Sequence, residues 1–253
     1  MARPTVNRVG EEGYNKYGSL MRIVEYRRID DIDVYFPEYD WTMQHTYYMS
    51  FQKGQIKCPY EPRLYGVAFI GDGEYDAENH ERCYNTWNHM IIRCYSDTYQ
   101  AKRPSYIGCK VCNEWLNYQN FAEWYYMNYY EIENELMHLD KDILYKGNKL
   151  YSPETCVFVP QCINSLFIKS DAARGELPIG VKLDKRNGRY QARCNDGKRN
   201  RIGLGTYATP EEAFYAYKEY KESVIKKVAD FYHDEIPINL YEAMYNYEVD
   251  IND

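Results

Sequence analysis

MHLDKDILYKGNKLYSPETCVFVPQCINSLFIK, Met137 to Lys169, reads as strand, turn, strand and helix in that order. Asp140 sits in a short strand-like run, and the Gly147-Asn148 pair marks a turn. Cys156 to Val159 forms the second strand, and after Pro160 a helix begins near Gln161 and carries Asn164. This order delivers one carboxylate from a hairpin and one amide oxygen from the helix behind it. Hard oxygen ligands of this kind suit Mg²⁺ or Mn²⁺ rather than zinc. One divalent ion held by them can neutralise a scissile phosphate and stabilise a leaving oxygen.

Upstream lie TWNHMIIRCYSD, Thr86 to Asp97, and PSYIGCKVCNEWLNYQNFAEW, Pro104 to Trp124. Together with the hairpin they resemble the ββα-metal, or HNH, nucleases, in particular the homing-type endonucleases carried by bacteriophages. The resemblance implies that Asp140 and Asn164 are metal ligands. It sets Lys141 where an active member has its general-base His, and Thr155 where the middle Asn orients that base. Two of the four functional positions thus depart from the family pattern. A charged Lys cannot accept a proton unless desolvation or a metal depresses its pKa, so phosphate contact is its natural role. His138 lies two residues before Asp140 and hence on the same face of an ideal strand, as does Asp142. His138 is a substitute base or a hydrogen-bonded bystander; Asp142 is a second metal ligand or a solvated strand residue.

The 253-residue chain carries a net charge of −7, but the charge is unevenly spread. Lys169 to Lys227 holds fourteen Lys and Arg against eight Asp and Glu, so the remainder sums to −13. The tail from Ala229 to Asp253 has seven acidic residues and no Lys or Arg. Such asymmetry indicates one basic interaction module in an otherwise acidic molecule.

Within that window, Gly180 to Asp184 reads as a strand, and Arg186-Asn187-Gly188 as a hairpin turn. Arg189 to Cys194 alternates, with Tyr190, Ala192 and Cys194 on one face and Arg189, Gln191 and Arg193 on the other. After the Asn195-Asp196-Gly197 turn, Arg201 to Gly205 forms a third strand with Ile202 and Leu204 inward. Thr209-Pro210-Glu211-Glu212 opens a helix with an N-cap, Pro at the first position and a capping-box Glu. Ala213, Ala216, Tyr217, Tyr220 and Val224 recur at helical spacing and cover the sheet. This succession, GV…YQAR…LGTYATPEEAFYAY, is similar to the Apetala/ethylene-response-factor (ERF) type of DNA-binding domain. The resemblance implies a sheet lying in the major groove of duplex DNA. By position the readers are Lys182, Arg189, Gln191, Arg193 and Arg201, joined by Lys169 at the start of the basic window. The alternative is a basic, solvated sheet face with no partner.

The N-terminal third pairs two alternating runs, Arg22–Tyr26 and Ile32–Phe36, with a third strand expected over Thr46–Phe51. Gly66 to Gly73 reads as a linker. The aromatic-rich run Glu114–Asn134 follows helical spacing, so its Trp and Tyr residues are core and interface aromatics. Cys109-x-x-Cys112 with Cys94 or Cys156 offers a structural Zn²⁺ site, but a zinc ribbon needs two such pairs, and buried thiols are the ordinary alternative. The N-terminus lacks an apolar signal-peptide core, and no run reaches the ~18 apolar residues of a membrane span. Eight Cys without an export signal point to reduced thiols in the cytoplasm, that of a bacterial host if the chain is phage-encoded.

The expected organisation is α+β: a small β-rich domain at 1–66, an HNH ββα-metal module at 67–170, an ERF-like domain at 171–230 and an acidic segment at 231–253. The acidic segment is a packed terminus, a DNA mimic or a brake on the basic sheet. Two function classes follow. One is a Mg²⁺-dependent endonuclease acting on duplex DNA, with His138, Asp140, Lys141 and Asn164 as its catalytic set. The other is a degenerate HNH-fold module that binds DNA or a protein partner.

Overall fold

The computed structural model describes residues 7–168, 176–197 and 200–253. The chain is α+β and divides into two compact units, 1–127 and 128–253.

The first unit opens with a four-stranded antiparallel sheet in sequential order: β1 (Glu12–Tyr14), β2 (Leu20–Arg28), β3 (Asp31–Phe36) and β4 (Trp41–Thr46). Met21 and Ile23 on β2 and Ile32, Val34 and Phe36 on β3 bury one face, the period-2 pattern that a one-sided sheet requires. Strands β2 and β3 form the expected hairpin, but the strand expected over Thr46–Phe51 is corrected. The strand ends at Thr46, and Tyr48–Gln52 is a short helix, α1. Tyr48 and Phe51 are both buried. A strand would point residues three apart to opposite sides, whereas a helical turn brings both onto the sheet.

The longer helices of this unit are α2 (Glu81–Tyr95), α3 (Asp97–Lys102) and α4 (Tyr118–Asn128). Cys83, Trp87, Met90, Ile91 and Cys94 make the buried stripe of α2 at spacings of three and four. The Trp87 indole donates to the Trp115 carbonyl at 2.7 Å, and Trp115 packs against Phe121 and Trp124 at 5.1 and 4.6 Å between ring centroids. These aromatics are core, as their spacing predicts.

In the second unit β5 (Met137–Asp140) pairs antiparallel with β6 (Val157–Pro160), and α5 (Gln161–Leu166) follows directly and lies against both strands. Pro160 ends the strand and caps α5, where its fixed φ of −60° suits the exchange of ladder for helix. The second sheet holds β7 (Val181–Asp184), β8 (Arg189–Asn195) and β9 (Arg201–Tyr207), with β8 in the middle. The long helix α6 (Pro210–Phe231) backs it, and its N-terminus carries the full capping box between Thr209 and Glu212. Val181, Ala192 and Cys194 of the sheet pack with Ala213, Phe214 and Tyr217 of the helix.

Gly180 explains how tightly helix and sheet meet. Its φ is +78°, and a Cβ there would collide with the Tyr217 ring. Gly180→Ala therefore combines a disfavoured backbone with overpacking and should destabilise the chain by about 2–4 kcal/mol. Thermal unfolding measures this directly, and an unchanged midpoint would contradict the packing described.

The acidic terminus is packed. Helix α7 (Ile238–Tyr245) buries Leu240 and Met244 and lies against α6, and Val249 joins the core on the helix side of the sheet. Glu222 accepts from the Val249 N–H at 2.8 Å, and Lys146 of the hairpin loop bonds the Glu248 carbonyl at 2.9 Å and Asp253 at 2.7 Å.

Candidate functional site

Met137 and Leu139 of β5 point into the core, so His138 and Asp140 share its other, half-buried face. The register sets His138 opposite Val159 and Asp140 opposite Val157. The strand ends at Asp140 because of its own side chain. The carboxylate Oδ1 accepts from the backbone N–H groups of Asp142 and Ile143, each at 2.8 Å, and turns the chain out of the ladder. Asp142 is thus beyond the strand, and its relation to Asp140 differs from the strand periodicity expected of it. The turn, not the pleat, brings its carboxyl next to that of Asp140. Burial first and the neighbouring Asp142 charge second raise the Asp140 carboxyl from its ordinary value to about 6, against the opposing pull of the two N–H donors.

Lys141 is only 7% exposed. Its ammonium lies 3.1 Å from an Asp142 carboxylate oxygen and 5.8 Å from the centre of the Tyr151 ring. At the position where the resemblance implies a base, the chain therefore has a buried cation that holds Asp142 in place. Phosphate contact, the role expected of Lys141, would have to compete with this ion pair.

The loop between the strands is fixed by side-chain amides and hydroxyls. Gly147 has φ of +81° and permits the turn in which Asn148 N–H reaches the Tyr145 carbonyl at 2.9 Å. The Asn148 side-chain amide donates to the Lys141 carbonyl at 2.7 Å and to the Leu150 carbonyl at 2.6 Å. Thr155 donates to the Leu150 carbonyl at 2.7 Å. The side chain that pins the backbone at residue 141 is Asn148, while Thr155, in the place of the base-orienting Asn of the resemblance, bonds the Leu150 carbonyl instead. The signal for Asn148 was the Asn of the Gly147-Asn148 pair, which reads as turn punctuation. Asn164 is the fourth residue of α5, half-buried, on the helix that packs against the hairpin.

On the second sheet, Lys182 and Arg189 are exposed, Arg201 is exposed, and Gln191 and Arg193 are half-buried. Gln191 sits between Lys182 and Thr206 in the ladder, and Arg193 sits opposite Gly203, which has no side chain to cover it. Arg193 donates to Gln191 at 2.6 Å, and Gln191 donates to Asp184 at 3.0 Å. Asp184 also pairs with Arg186 at 3.2 Å, which lowers its pKa. The chain of bonds orients Gln191 and Arg193 and leaves the face dominated by cations. Lys169 lies outside the described residues.

Among the described residues, one group of three metal-ligand side chains comes together: Asp31, Asp33 and His45 in the first unit. Its cation is already present. Arg27 bonds Asp31 at 2.9 Å and Asp33 at 2.8 and 3.0 Å, and both carboxyls are held below their ordinary values, Asp33 chiefly by Arg27 and Asp31 first by His45. The set is an arginine clamp that ties β2 to β3. None of the eight cysteines forms a disulfide. Among the described residues no helix is long and apolar enough to cross a membrane. Compared with protein-family models, curated proteins and solved structures, the chain matches none.

Proposed function

We propose that residues 137–166 form a divalent-metal phosphodiester site and that the β7–β9 sheet binds duplex DNA, which together make a metal-dependent endonuclease. The observation that carries the reading is the adjoining pair of carboxyls, Asp140 and Asp142, at the end of a strand whose partner runs into the helix of Asn164. Burial first and the Asp142 charge second hold a proton on Asp140 up to about pH 6, and a divalent cation would relieve both penalties. Asp140 and Asp142 offer carboxylate oxygens that suit Mg²⁺ or Mn²⁺, and the resemblance adds the Asn164 amide oxygen. An ion held by Asp140, with Asn164 as the resemblance implies, would supply Lewis-acid polarisation of a phosphate.

The chain's own residues then divide the work. Asp140 carries the ligand charge and, through its bonds to 142 and 143, sets the turn. Lys141 holds Asp142, and Asn148 fixes the backbone beneath them. His138, on the same face of β5 as Asp140, is the group with the intrinsic pKa suited to accept a proton from water. The basic sheet brings the polyanion to the chain. A cytoplasmic location goes with this reading, in a bacterial host if the chain is phage-encoded.

A second reading, a binding-only module, is favoured by one observation: a buried, ion-paired Lys141 stands where the resemblance implies a base. Cleavage of supercoiled plasmid separates the two. The wild-type chain should nick it with Mg²⁺ and not with a chelator, and His138→Ala should lose cleavage by about a hundredfold or more while keeping DNA affinity. Full activity in His138→Ala removes this His from the mechanism. No cleavage by the wild-type chain under any divalent metal sinks the nuclease reading in favour of binding alone.

A further inference from the structure

The strand β7 ends short of its neighbour. Its pairing with β8 runs only from Arg189 to Ala192, and beyond that Arg193 N–H reaches the Gly180 carbonyl at 2.9 Å. Past this point the sheet edge, helix α6, the end of α5 and Ile168 leave a cavity of about 380 Å³ that opens to solvent. Its charged lining is of one sign: Arg193, Arg201 and Lys221, with no described carboxylate.

Lys221 is the unusual member. It belongs to the buried stripe of α6, between Tyr217 and Val224, where the helical repeat asks for an apolar side chain. It is only 9% exposed. Among the described residues it has no hydrogen bond and no ion pair, and burial lowers its pKa. A cationic side chain this deeply placed without an acceptor is costly, and two arginines on the same cavity add like-charge repulsion. An anion in the cavity removes both penalties at once. A cavity of about 380 Å³ has room for a tetrahedral oxyanion, and guanidinium forks are suited to its oxygens.

The geometry points to a phosphate-binding cavity in which Lys221 holds one phosphate group, with Arg193 and Arg201 at its rim. Lys221 lies on the helix behind the sheet and is not among the proposed readers of the outer face, with which the cavity shares Arg193 and Arg201. The phosphate has two possible sources, a free anion or a phosphodiester of nucleic acid, and the test distinguishes them.

The full chain is titrated with inorganic phosphate by calorimetry, with ionic strength held constant by chloride. The wild type should bind phosphate, and Lys221→Met should bind it about ten- to a hundredfold more weakly, the usual worth of a charged hydrogen bond. Lys221→Arg, which keeps the charge, should retain most of the affinity. If Lys221→Met does not fold, Lys221→Gln, which removes the charge but keeps a polar end, takes its place and should weaken binding in the same direction. Duplex DNA then identifies the source. If the cavity takes a backbone phosphate, the variant's slope of log affinity against log salt falls by about one unit. If it takes a free anion, the slope stays while phosphate affinity falls. Wild-type chain that binds phosphate but no duplex DNA would remove the proposed endonuclease and leave the cavity assignment standing. Phosphate binding undiminished in the variant, or absent from the wild type, overturns the proposal.

Discussion

Replacing Lys182, Arg189, Arg193 and Arg201 together with Gln should weaken binding of duplex DNA by on the order of a hundred- to a thousandfold at about 0.1 M salt. The expectation comes from counterion release, in which each phosphate contact adds about one unit to the salt slope. Four lost contacts should flatten that slope by up to about four units. The four residues alternate with the core positions Val181, Ala192 and Cys194, so their removal should leave the helix-facing core intact. Far-ultraviolet circular dichroism and an unfolding midpoint near that of the wild type check this. Arg193 also orients Gln191 through a 2.6 Å bond, so its single substitution should reduce discrimination between sequences as well as affinity. Unchanged affinity and slope after all four changes would mean that DNA lies elsewhere or is not bound.

Asp140→Asn should make the metal-free chain more stable at neutral pH, while removing its response to Mg²⁺. The Asp140 carboxyl is raised to about 6 by burial and by Asp142, whereas an unfolded chain keeps it near the ordinary value of about 4. The folded state therefore binds this proton more tightly than the unfolded one. Stability linked to it is fully present below about pH 4 and is lost as pH rises through about 6, by about 2–3 kcal/mol. Asn keeps an oxygen that accepts from the N–H groups of residues 142 and 143 but carries no charge. The variant should lose this decline. Added Mg²⁺ should raise the midpoint of the wild type at pH 7.5 in proportion to the logarithm of its concentration, and leave that of the variant unchanged. Few substitutions of a purely structural residue gain stability and lose a ligand response together. A variant less stable than wild type, with the same Mg²⁺ response, would make Asp140 a turn residue and nothing more.

The fold was legible where one period dominated. The capping box at Thr209 and the alternation of β8 specify the helix and its sheet from local chemistry alone. Pro160 marks the exchange of strand for helix because its ring suits both the end of a ladder and the start of a helix. The run from Thr46 to Phe51 misleads because it is short and apolar, and only the three-residue spacing of Tyr48 and Phe51 betrays the helix. At the site, the position of Asp140 on β5 was readable, but its partner was not. Strand periodicity set Asp142 on the face of His138, whereas the backbone bonds of Asp140 end the strand before periodicity applies. Asn148 was hidden by being a turn residue as well as a clamp. Lys221 was hidden for the opposite reason: a charge inside a helical stripe reads as solvated surface until the packing around it is known.

The central claim is that Asp140 anchors metal-dependent hydrolysis of duplex DNA, and one assay addresses it most directly. Supercoiled plasmid is incubated with wild-type chain and with Asp140→Asn, each with Mg²⁺ and with excess chelator, at matched DNA occupancy. The account predicts nicked product from the wild type with Mg²⁺ alone, and none from the variant, although the variant binds the plasmid as tightly. Equal cleavage by the variant, or wild-type cleavage that persists in chelator, would contradict it.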